Sequence, residues 1–203
     1  MLGRMDFEMN APLFSALESD VPIGLLGRHQ ADNAAVALAT AAVLRLNSWR
    51  IPREAQRQGL AALEWPARVE VISDCPTVVI DTAHNVASVQ SLVDTLDECF
   101  QAKRRALVFA TTLEKDLAGM LRVLLPAFDH VYFTRYTVNP RGVPIETLVQ
   151  LAAEQGASHV TACATPERAW QAARMAAELD SLVCVTGSFF IAAEVRAMAR
   201  EAI

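Results

Sequence analysis

Short apolar runs alternate with longer segments in which apolar residues recur every three or four positions, from about residue 66 onward. The runs are RVEVIS, PTVVID, RALVFATT, HVYFTRY, SHVTAC and SLVCVTG. Runs of this length predict strands, and the segments between them predict amphipathic helices. The helix after the second run, for instance, is expected to bury Val86, Val89, Leu92, Val93, Leu96 and Phe100. Strands that alternate with helices predict an α/β fold, with a six-stranded, mostly parallel sheet flanked by helices.

The first part of the chain follows a different pattern. Residues 28–46, RHQADNAAVALATAAVLRL, are apolar on nearly all sides, which is typical of a helix buried between other elements. A second, short amphipathic helix is expected to start at Pro52. Pro66 closes this part. We therefore expect one domain to end within residues 1–65 and a second domain to occupy residues 66–203.

Composition and charge narrow the functional classes. The 203 residues are 53% hydrophobic, which is enough for a substantial core, and a net charge of −5 disfavours nucleic acid as a partner. The four cysteines have no C-x-x-C spacing, and the histidines and cysteines show no metal-ligand spacing. No apolar run reaches the roughly 18 residues of a membrane span, and the start does not resemble a signal peptide. We expect a cytoplasmic protein without a membrane partner and without a metal site of its own.

Polar side chains follow the predicted strands, at the corners where ligands gather in parallel sheets. Asp81, His84 and Asn85 follow the second strand, and Lys115 follows the third. A lysine just before a helix opposes the helix dipole, so a carboxylate or phosphate ligand would explain its position. The alternatives are structural. Asp81 would bond to the backbone, Asn85 would cap the helix, His84 would be incidental and Lys115 would be an ordinary solvated lysine.

Two later corners add candidates. Arg141 lies in a long loop after the fourth strand, either as an anion ligand or as an ordinary exposed arginine. Ser188 follows Gly187 at the start of the last helix, where a hydroxyl and free N–H groups form a cradle for a carboxylate or phosphate, or a simple N-cap. The eight glycines spell neither G-x-G-x-x-G nor G-x-x-x-x-G-K-[ST], and there is no G-x-S-x-G motif. This disfavours a nicotinamide-dependent oxidoreductase.

Six segments, in chain order, resemble the C-terminal part of the folylpolyglutamate synthase/dihydrofolate synthase family of the Mur ligase superfamily. They are LLGRHQADNAAVALATAAVL, WPARVEVI, VVIDTAHNVASVQSL, TTLEKDLAGML, NPRGVP and VTGSFFIAAEVR. Together they cover nearly all of residues 27–196. Ala67 and Thr82 stand where the family motifs W-P-G-R and D-G-A-H-N have glycine, at backbone angles that we expect alanine and threonine to adopt.

The resemblance implies a fold, an activity and cofactors. It implies a Rossmann-like Mur ligase C-terminal domain over residues 66–203, acting as a glutamate-binding lid, and the tail of the central ATPase domain over residues 1–65. It implies an ATP-dependent ligase that adds glutamate to a folate, tetrahydrofolate or dihydropteroate, through an acyl phosphate. ATP and Mg²⁺ are the implied cofactors, with the magnesium ligands outside these 203 residues.

The resemblance also implies site residues. ATP would be contacted by Asn33, Arg68 and Asp81. The substrates would be contacted by His84, Lys115, Ser188 and Arg141, and the catalytic roles would fall to His84 and Lys115.

The sequence lacks the phosphate loop that the family requires, so we expect a C-terminal fragment that is inactive alone. Its apolar helix at residues 28–46 would then lack a packing partner, which favours self-association. One alternative is another Mur-type amino-acid ligase, but the HQ pair and the GSFF stretch favour the folate branch. The other alternative is a stand-alone nucleotide-binding or interaction module without catalysis.

Overall fold

The chain folds into two compact units, Met1–Pro66 and Ala67–Ile203, and a computed structural model describes residues 3–5 and 21–201. The division of the chain falls after Pro66, one residue later than the boundary expected from the sequence. In the first unit, strand β1 (Gly3–Met5) pairs antiparallel with β2 (Val21–Ile23). Helices α1 (Arg28–Leu46) and α2 (Arg53–Ala61) follow.

Helix α1 has the bounds expected from the sequence, but it is not buried on all sides in this chain. Its buried residues all lie between positions 30 and 38 and are Gln30, Ala31, Ala34 and Leu38. The second half is largely exposed, as is Val36, whose exposed fraction is 67%. An alanine-rich helix has small side chains on every face, so its sequence does not specify which face a neighbour covers.

The second unit contains a six-stranded sheet and five helices. The strands are β3 (Glu70–Asp74), β4 (Thr77–Ile80), β5 (Arg105–Phe109), β6 (His130–Phe133), β7 (Val160–Ala162) and β8 (Leu182–Thr186). The helices are α3 (Val86–Cys99), α4 (Leu117–Leu124), α5 (Ile145–Glu154), α6 (Pro166–Ala176) and α7 (Phe189–Glu201), and a short 3₁₀ helix, Leu125–Ala127, follows α4. The prediction of an α/β fold with a six-stranded, mostly parallel sheet is confirmed.

The strand order places the first and last parallel strands side by side. The order is β3-β4-β8-β5-β6-β7, in which β3 is antiparallel to β4 and all other pairs are parallel. Strand β8 lies between β4 and β5, and all of its residues are buried. Every second residue of the central strands points to one face of the sheet and packs there against α6 and α7. Helices α3, α4 and α5 cover the opposite face.

Local sequence signals set the helix ends. Asn85 and Ser88 form a reciprocal capping box at the start of α3. Thr165 caps α6 and Pro166 occupies its first position, where a proline lacks only an N–H that has no partner in the helix. Gly156 follows the end of α5 with a φ of 77°, the left-handed conformation expected there.

The expected buried face of α3 is confirmed for Val89, Leu92, Val93 and Leu96. These residues recur every three or four positions, so they form one stripe that packs into the core. Within residues 3–5 and 21–201, no helix has the length and apolar character needed to cross a membrane.

Candidate functional site

The two corners that follow β4 and β8 form one continuous structure. Because these strands are neighbours, the IDTAHN and TGSFF segments emerge side by side. The amide of Gly187 donates to the carbonyl oxygen of Ala83 at 3.0 Å, and the Thr186 hydroxyl donates to the same oxygen at 3.4 Å. The rings of His84 and Phe189 are neighbours, with centroids 5.7 Å apart and planes tilted by 44°. Two motifs that are distant in sequence therefore form one candidate site.

Gly187 is required by the tight turn at this corner. Its φ of 115° lies in a region that other residues rarely adopt. A Cβ atom at this position would lie 2.6 Å from the carbonyl oxygen of Ala110 and 2.8 Å from the ring of Phe109. The chain therefore approaches the end of β5 more closely than any side chain would allow.

Asp81 is buried and accepts hydrogen bonds from two backbone amides. Oδ1 accepts from the N–H of Ala83 at 2.6 Å, and Oδ2 accepts from the N–H of Val69 at 3.0 Å. The backbone-acceptor role, which the sequence left open, is thus observed. Contact between Asp81 and a nucleotide stays a prediction.

His84 is half-buried and has a defined ring orientation. Nδ1 lies 3.0 Å from the carbonyl oxygen of Thr82, and the backbone N–H donates to the hydroxyl of Ser88. A carbonyl oxygen only accepts hydrogen bonds, so this contact places a proton on Nδ1. Nε2 makes no contact with the Thr82 carbonyl, so it is the ring nitrogen left to face a ligand.

Ser188 is only 2% exposed, and its hydroxyl already makes two hydrogen bonds. Oγ donates to the carbonyl oxygen of Ala110 at 3.1 Å and accepts from the N–H of Ile191 at 3.2 Å. The N-cap role is therefore observed, and it also links α7 to the end of β5. To donate to a substrate carboxylate, as the resemblance implies, Ser188 would have to release Ala110.

Lys115 and Arg141 lie on segments that hydrogen bonds join. The N–H of Leu113 donates to the carbonyl oxygen of Arg141 at 2.9 Å, and Thr112 pairs with Gly142 in an antiparallel bridge. Both side chains are exposed, and neither makes a side-chain hydrogen bond or ion pair within the described part of the chain. The two loops thus present two cations to solvent.

Arg68 is exposed and lies between two residues with left-handed backbone conformations. The φ angles are 56° at Ala67 and 48° at Val69. Ala67 therefore adopts an angle that glycine tolerates far better, so its replacement of glycine is not neutral for the backbone. Thr82, the other replacement, has no positive φ.

Asn33 belongs to the first unit, on the first turns of α1. Its Nδ2 donates to Oε1 of Gln30 at 3.1 Å, and Nε2 of Gln30 lies 3.0 Å from Nε2 of His29. The HQxxN motif therefore forms a short chain of hydrogen bonds along the start of this helix. Asn33 itself is exposed.

Of the residues predicted from the sequence, the second unit brings together Arg68, Asp81, His84 and Ser188. They lie at the amino end of β3, which is antiparallel to β4, and at the carboxyl ends of β4 and β8. It joins Lys115 with Arg141 on the loops after β5 and β6. No cluster of three His, Cys, Asp or Glu suited to a metal ion exists among residues 3–5 and 21–201.

Sequence reasoning missed two carboxylates that hold the segments around the site. Glu70 accepts from Nε and Nη2 of Arg196, at 2.6 Å and 2.9 Å. Glu194 accepts from the N–H groups of Thr137 and Val138, at 2.8 Å and 3.0 Å. Glu70, Glu194 and Arg196 stand in segments that match family motifs, but nothing in the sequence reveals their partners.

The Glu70 carboxyl is partly buried, which by itself would raise its pKa and is the largest single influence on it. The hydrogen bonds from Arg196 and from the Ala67 N–H, together with the charges of Arg196 and Arg200, outweigh this effect. The net result is a pKa below the usual value, so the carboxylate stays ionised at neutral pH.

Comparisons with known proteins agree with this architecture. The family model of the Mur ligase glutamate ligase domain matches residues 67–189. Folylpolyglutamate synthase from Lacticaseibacillus casei is 35% identical over 183 residues, which are 88% of this chain and 40% of that protein. Dihydrofolate synthase/folylpolyglutamate synthase from Mycobacterium tuberculosis is 37% identical over 139 residues, which are 68% of this chain and 28% of that protein.

Solved structures give the same result. Mycobacterium tuberculosis folylpolyglutamate synthase, complexed with ADP and AMPPCP, aligns with a TM-score of 0.79 and 32% identity over 89% of this chain and 42% of that one. The Yersinia pestis bifunctional folylpolyglutamate synthase/dihydrofolate synthase, complexed with AMPPNP and a Mn ion, aligns with a TM-score of 0.69 and 32% identity over 79% of this chain and 37% of that one. This chain thus spans less than half the length of these relatives.

Proposed function

This chain belongs to the Mur ligase family through its glutamate ligase domain, and we propose that it is the C-terminal part of an ATP-dependent ligase that adds glutamate to folates. The relatives that support this proposal are folylpolyglutamate synthases, and several of their structures hold adenine nucleotides. In this proposal residues 66–203 act as the glutamate-binding lid, and residues 1–65 complete a central ATPase domain whose remainder lies outside these 203 residues.

The proposed reaction has two steps. The carboxylate of tetrahydrofolate or dihydropteroate attacks the γ-phosphorus of ATP, which releases ADP and forms an acyl phosphate. The α-amine of glutamate then attacks the acyl carbon and displaces inorganic phosphate, with loss of one proton from the amine. Both steps bring negatively charged groups together. A lid that carries cations would accelerate them, because it holds the reactants in position and offsets their negative charge.

The observation that carries the proposal is the pair of exposed cations on joined loops. Lys115 and Arg141 stand on segments that continue from β5 and β6, and β5 ends at the corner that holds Gly187 and Ser188. Glutamate brings two carboxylates, and exposed ammonium and guanidinium groups are their natural ligands. Lys115 also opposes the dipole of α4, and an incoming carboxylate would offset that cost.

We assign ATP to the part of the second unit around Arg68 and Asp81. Arg68 offers a positive charge for the nucleotide. For Asn33, which belongs to the first unit, contact with ATP rests on the resemblance alone. Asp81 lies beside the backbone that presents Arg68. His84, whose Nε2 makes no contact with the Thr82 carbonyl, is assigned to the incoming amine. ATP supplies the phosphoryl group when bound, and Mg²⁺ would be held by residues outside this chain.

The test uses the protein encoded by the complete reading frame that contains residues 1–203, called here the complete gene product. Lys115→Met should raise the KM for glutamate about tenfold, because one charge-assisted contact of this kind is worth about 1.4 kcal/mol or more. The KM for ATP should change little. The matched control is Lys103→Met, since Lys103 pairs with Asp180 at the opposite ends of the strands. An unchanged KM for glutamate in Lys115→Met would contradict the assignment.

A further inference from the structure

The turn that carries Arg68 has a strained backbone. Ala67 and Val69 both have positive φ angles, and both are buried, at 7% and 4% exposure. A β-branched residue such as valine rarely adopts this conformation, because it is energetically unfavourable. Such a conformation persists only where surrounding contacts hold it in place.

Two carboxylates hold this turn. Oε2 of Glu70 accepts from the N–H of Ala67 at 2.7 Å, and Oδ2 of Asp81 accepts from the N–H of Val69 at 3.0 Å. Arg68 lies between these two anchored amides, with its side chain exposed. The backbone on each side of Arg68 is thus fixed, and the arginine is directed away from the core.

Glu70 is in turn oriented from α7. Arg196 donates to both of its carboxylate oxygens, and Arg200 adds a bond to Oε1 at 3.3 Å. The side chains of Glu70 and Arg196 are only 16% and 23% exposed. A paired-donor contact in a partly buried place fixes the plane of the carboxylate, which a single exposed ion pair does not do.

The same oxygen of Glu70 serves both partners. Oε2 accepts from Nε of Arg196 and from the N–H of Ala67. The orientation that α7 imposes on the carboxylate is therefore passed directly to the backbone next to Arg68. An ion pair that only tied a helix to a strand would not need this shared atom.

We propose that Glu70 and Arg196 are positioning residues that hold Arg68 in the orientation that binds ATP. This inference rests on the proposed function, in which Arg68 contacts the nucleotide. Helix α7 starts at the Gly187 corner. It would then hold both this corner and the turn that carries Arg68 in place.

A double-mutant cycle in the complete gene product tests this role. Glu70→Leu removes the acceptor, and Arg68→Ala removes the side chain that it positions. With Arg68 present, Glu70→Leu should lower kcat/KM for ATP about tenfold. In the Arg68→Ala background the same change should lower it less than about twofold, because the positioned group is gone. An equal loss in both backgrounds would overturn the inference, since Glu70 would then act independently of Arg68.

Conservative variants keep the test informative if Glu70→Leu does not fold. Glu70→Gln retains an oxygen for the Ala67 N–H, and Arg196→Lys retains a charge but not the paired donors. Both should show a smaller loss than Glu70→Leu and the same dependence on Arg68. If both lose activity to the same extent with and without Arg68, the inference is wrong.

The same cycle separates the two proposals. If Arg68→Ala leaves kcat/KM for ATP unchanged, the assignment of Arg68 to ATP fails, and the positioning role fails with it. If Arg68→Ala lowers kcat/KM but Glu70→Leu adds its full effect, only the positioning role fails. Lys103→Met, which breaks an ion pair elsewhere, should be neutral in every background.

Discussion

The amide of Gly187 donates a hydrogen bond to the carbonyl oxygen of Ala83 at 3.0 Å, and this contact ties the last corner of the sheet to the first. It forms because β8 lies directly beside β4. The ring of His84 and the exposed ring of Phe189 are neighbours for the same reason. The candidate site is therefore a product of strand order, and it depends on a glycine that lets two corners approach each other.

Gly187→Ala should destabilise the second unit by about 2–4 kcal/mol, because the new methyl group would meet both the Ala110 carbonyl and the Phe109 ring at a strained φ. Gly156→Ala is the matched control, since its φ is also positive but a Cβ there meets nothing within 4 Å. It should cost only about 1 kcal/mol. Urea unfolding of both variants measures the difference. Equal losses would show that the close approach at Gly187 is unimportant.

Asn85→Ala should lower the free energy of unfolding by about 1 kcal/mol, because it removes the side chain that caps α3 by accepting from the N–H of Ser88. Ser91→Ala serves as the control. Its hydroxyl bonds within the helix at an exposed position, so we expect a change below about 0.5 kcal/mol. Thermal unfolding followed by circular dichroism compares the two. A neutral Asn85→Ala would mean that the cap contributes nothing.

The sequence predicted the elements of this fold better than their arrangement. Runs such as PTVVID and SLVCVTG specify buried strands, and Thr165 with Pro166 specifies a helix start, because these signals are local. Which strand lies beside which is decided by long-range packing, so the pairing of β4 with β8 does not appear in any periodicity.

The same distinction applies to the site. Asp81, His84 and Ser188 were identifiable as polar residues at corners, and Lys115 as a cation placed against a helix dipole. The bond from Glu70 to Arg196 was not predictable, since it joins residues far apart in the chain. The positive φ of Ala67 was also missed, because alanine gives no sign that its backbone is strained.

Glu70 should make stability depend on pH in the acidic range. Its pKa is lowered in the folded protein, so its stabilising effect is present above the unfolded pKa of about 4.3 and is lost as the pH falls through the folded pKa. Glu70→Gln should therefore cost about 1.5–3 kcal/mol at pH 7 and progressively less below about pH 4. Urea unfolding at several pH values measures this trend.

Asp180→Asn is the control for the pH experiment. Asp180 also has a lowered pKa, because it accepts a hydrogen bond from Lys103, but the pair lies in solvent. Its removal should change stability much less than removal of the Glu70 carboxylate at pH 7. A Glu70→Gln deficit that stayed constant from pH 7 to pH 3 would contradict the electrostatic explanation.

Glu194→Ala should loosen the loop that carries Arg141. Glu194 accepts from the N–H groups of Thr137 and Val138, and its loss leaves both amides open to solvent. Hydrogen exchange at these two amides should accelerate about tenfold or more, which corresponds to about 1.4 kcal/mol of lost protection. In Glu154→Ala, which removes only a bond to Gln150, both amides should exchange as in the original chain. Unchanged exchange in Glu194→Ala would show that this carboxylate does not hold the loop.

The most direct test of the central claim compares the complete gene product with residues 1–203 alone in one ligase assay. The assay follows inorganic phosphate release and the glutamate-extended folate, with ATP, glutamate and tetrahydrofolate or dihydropteroate each omitted in turn. We predict turnover by the complete gene product that requires every substrate, and no turnover by residues 1–203. Turnover by residues 1–203 alone, or a complete gene product that forms no glutamate-extended folate, would contradict the account.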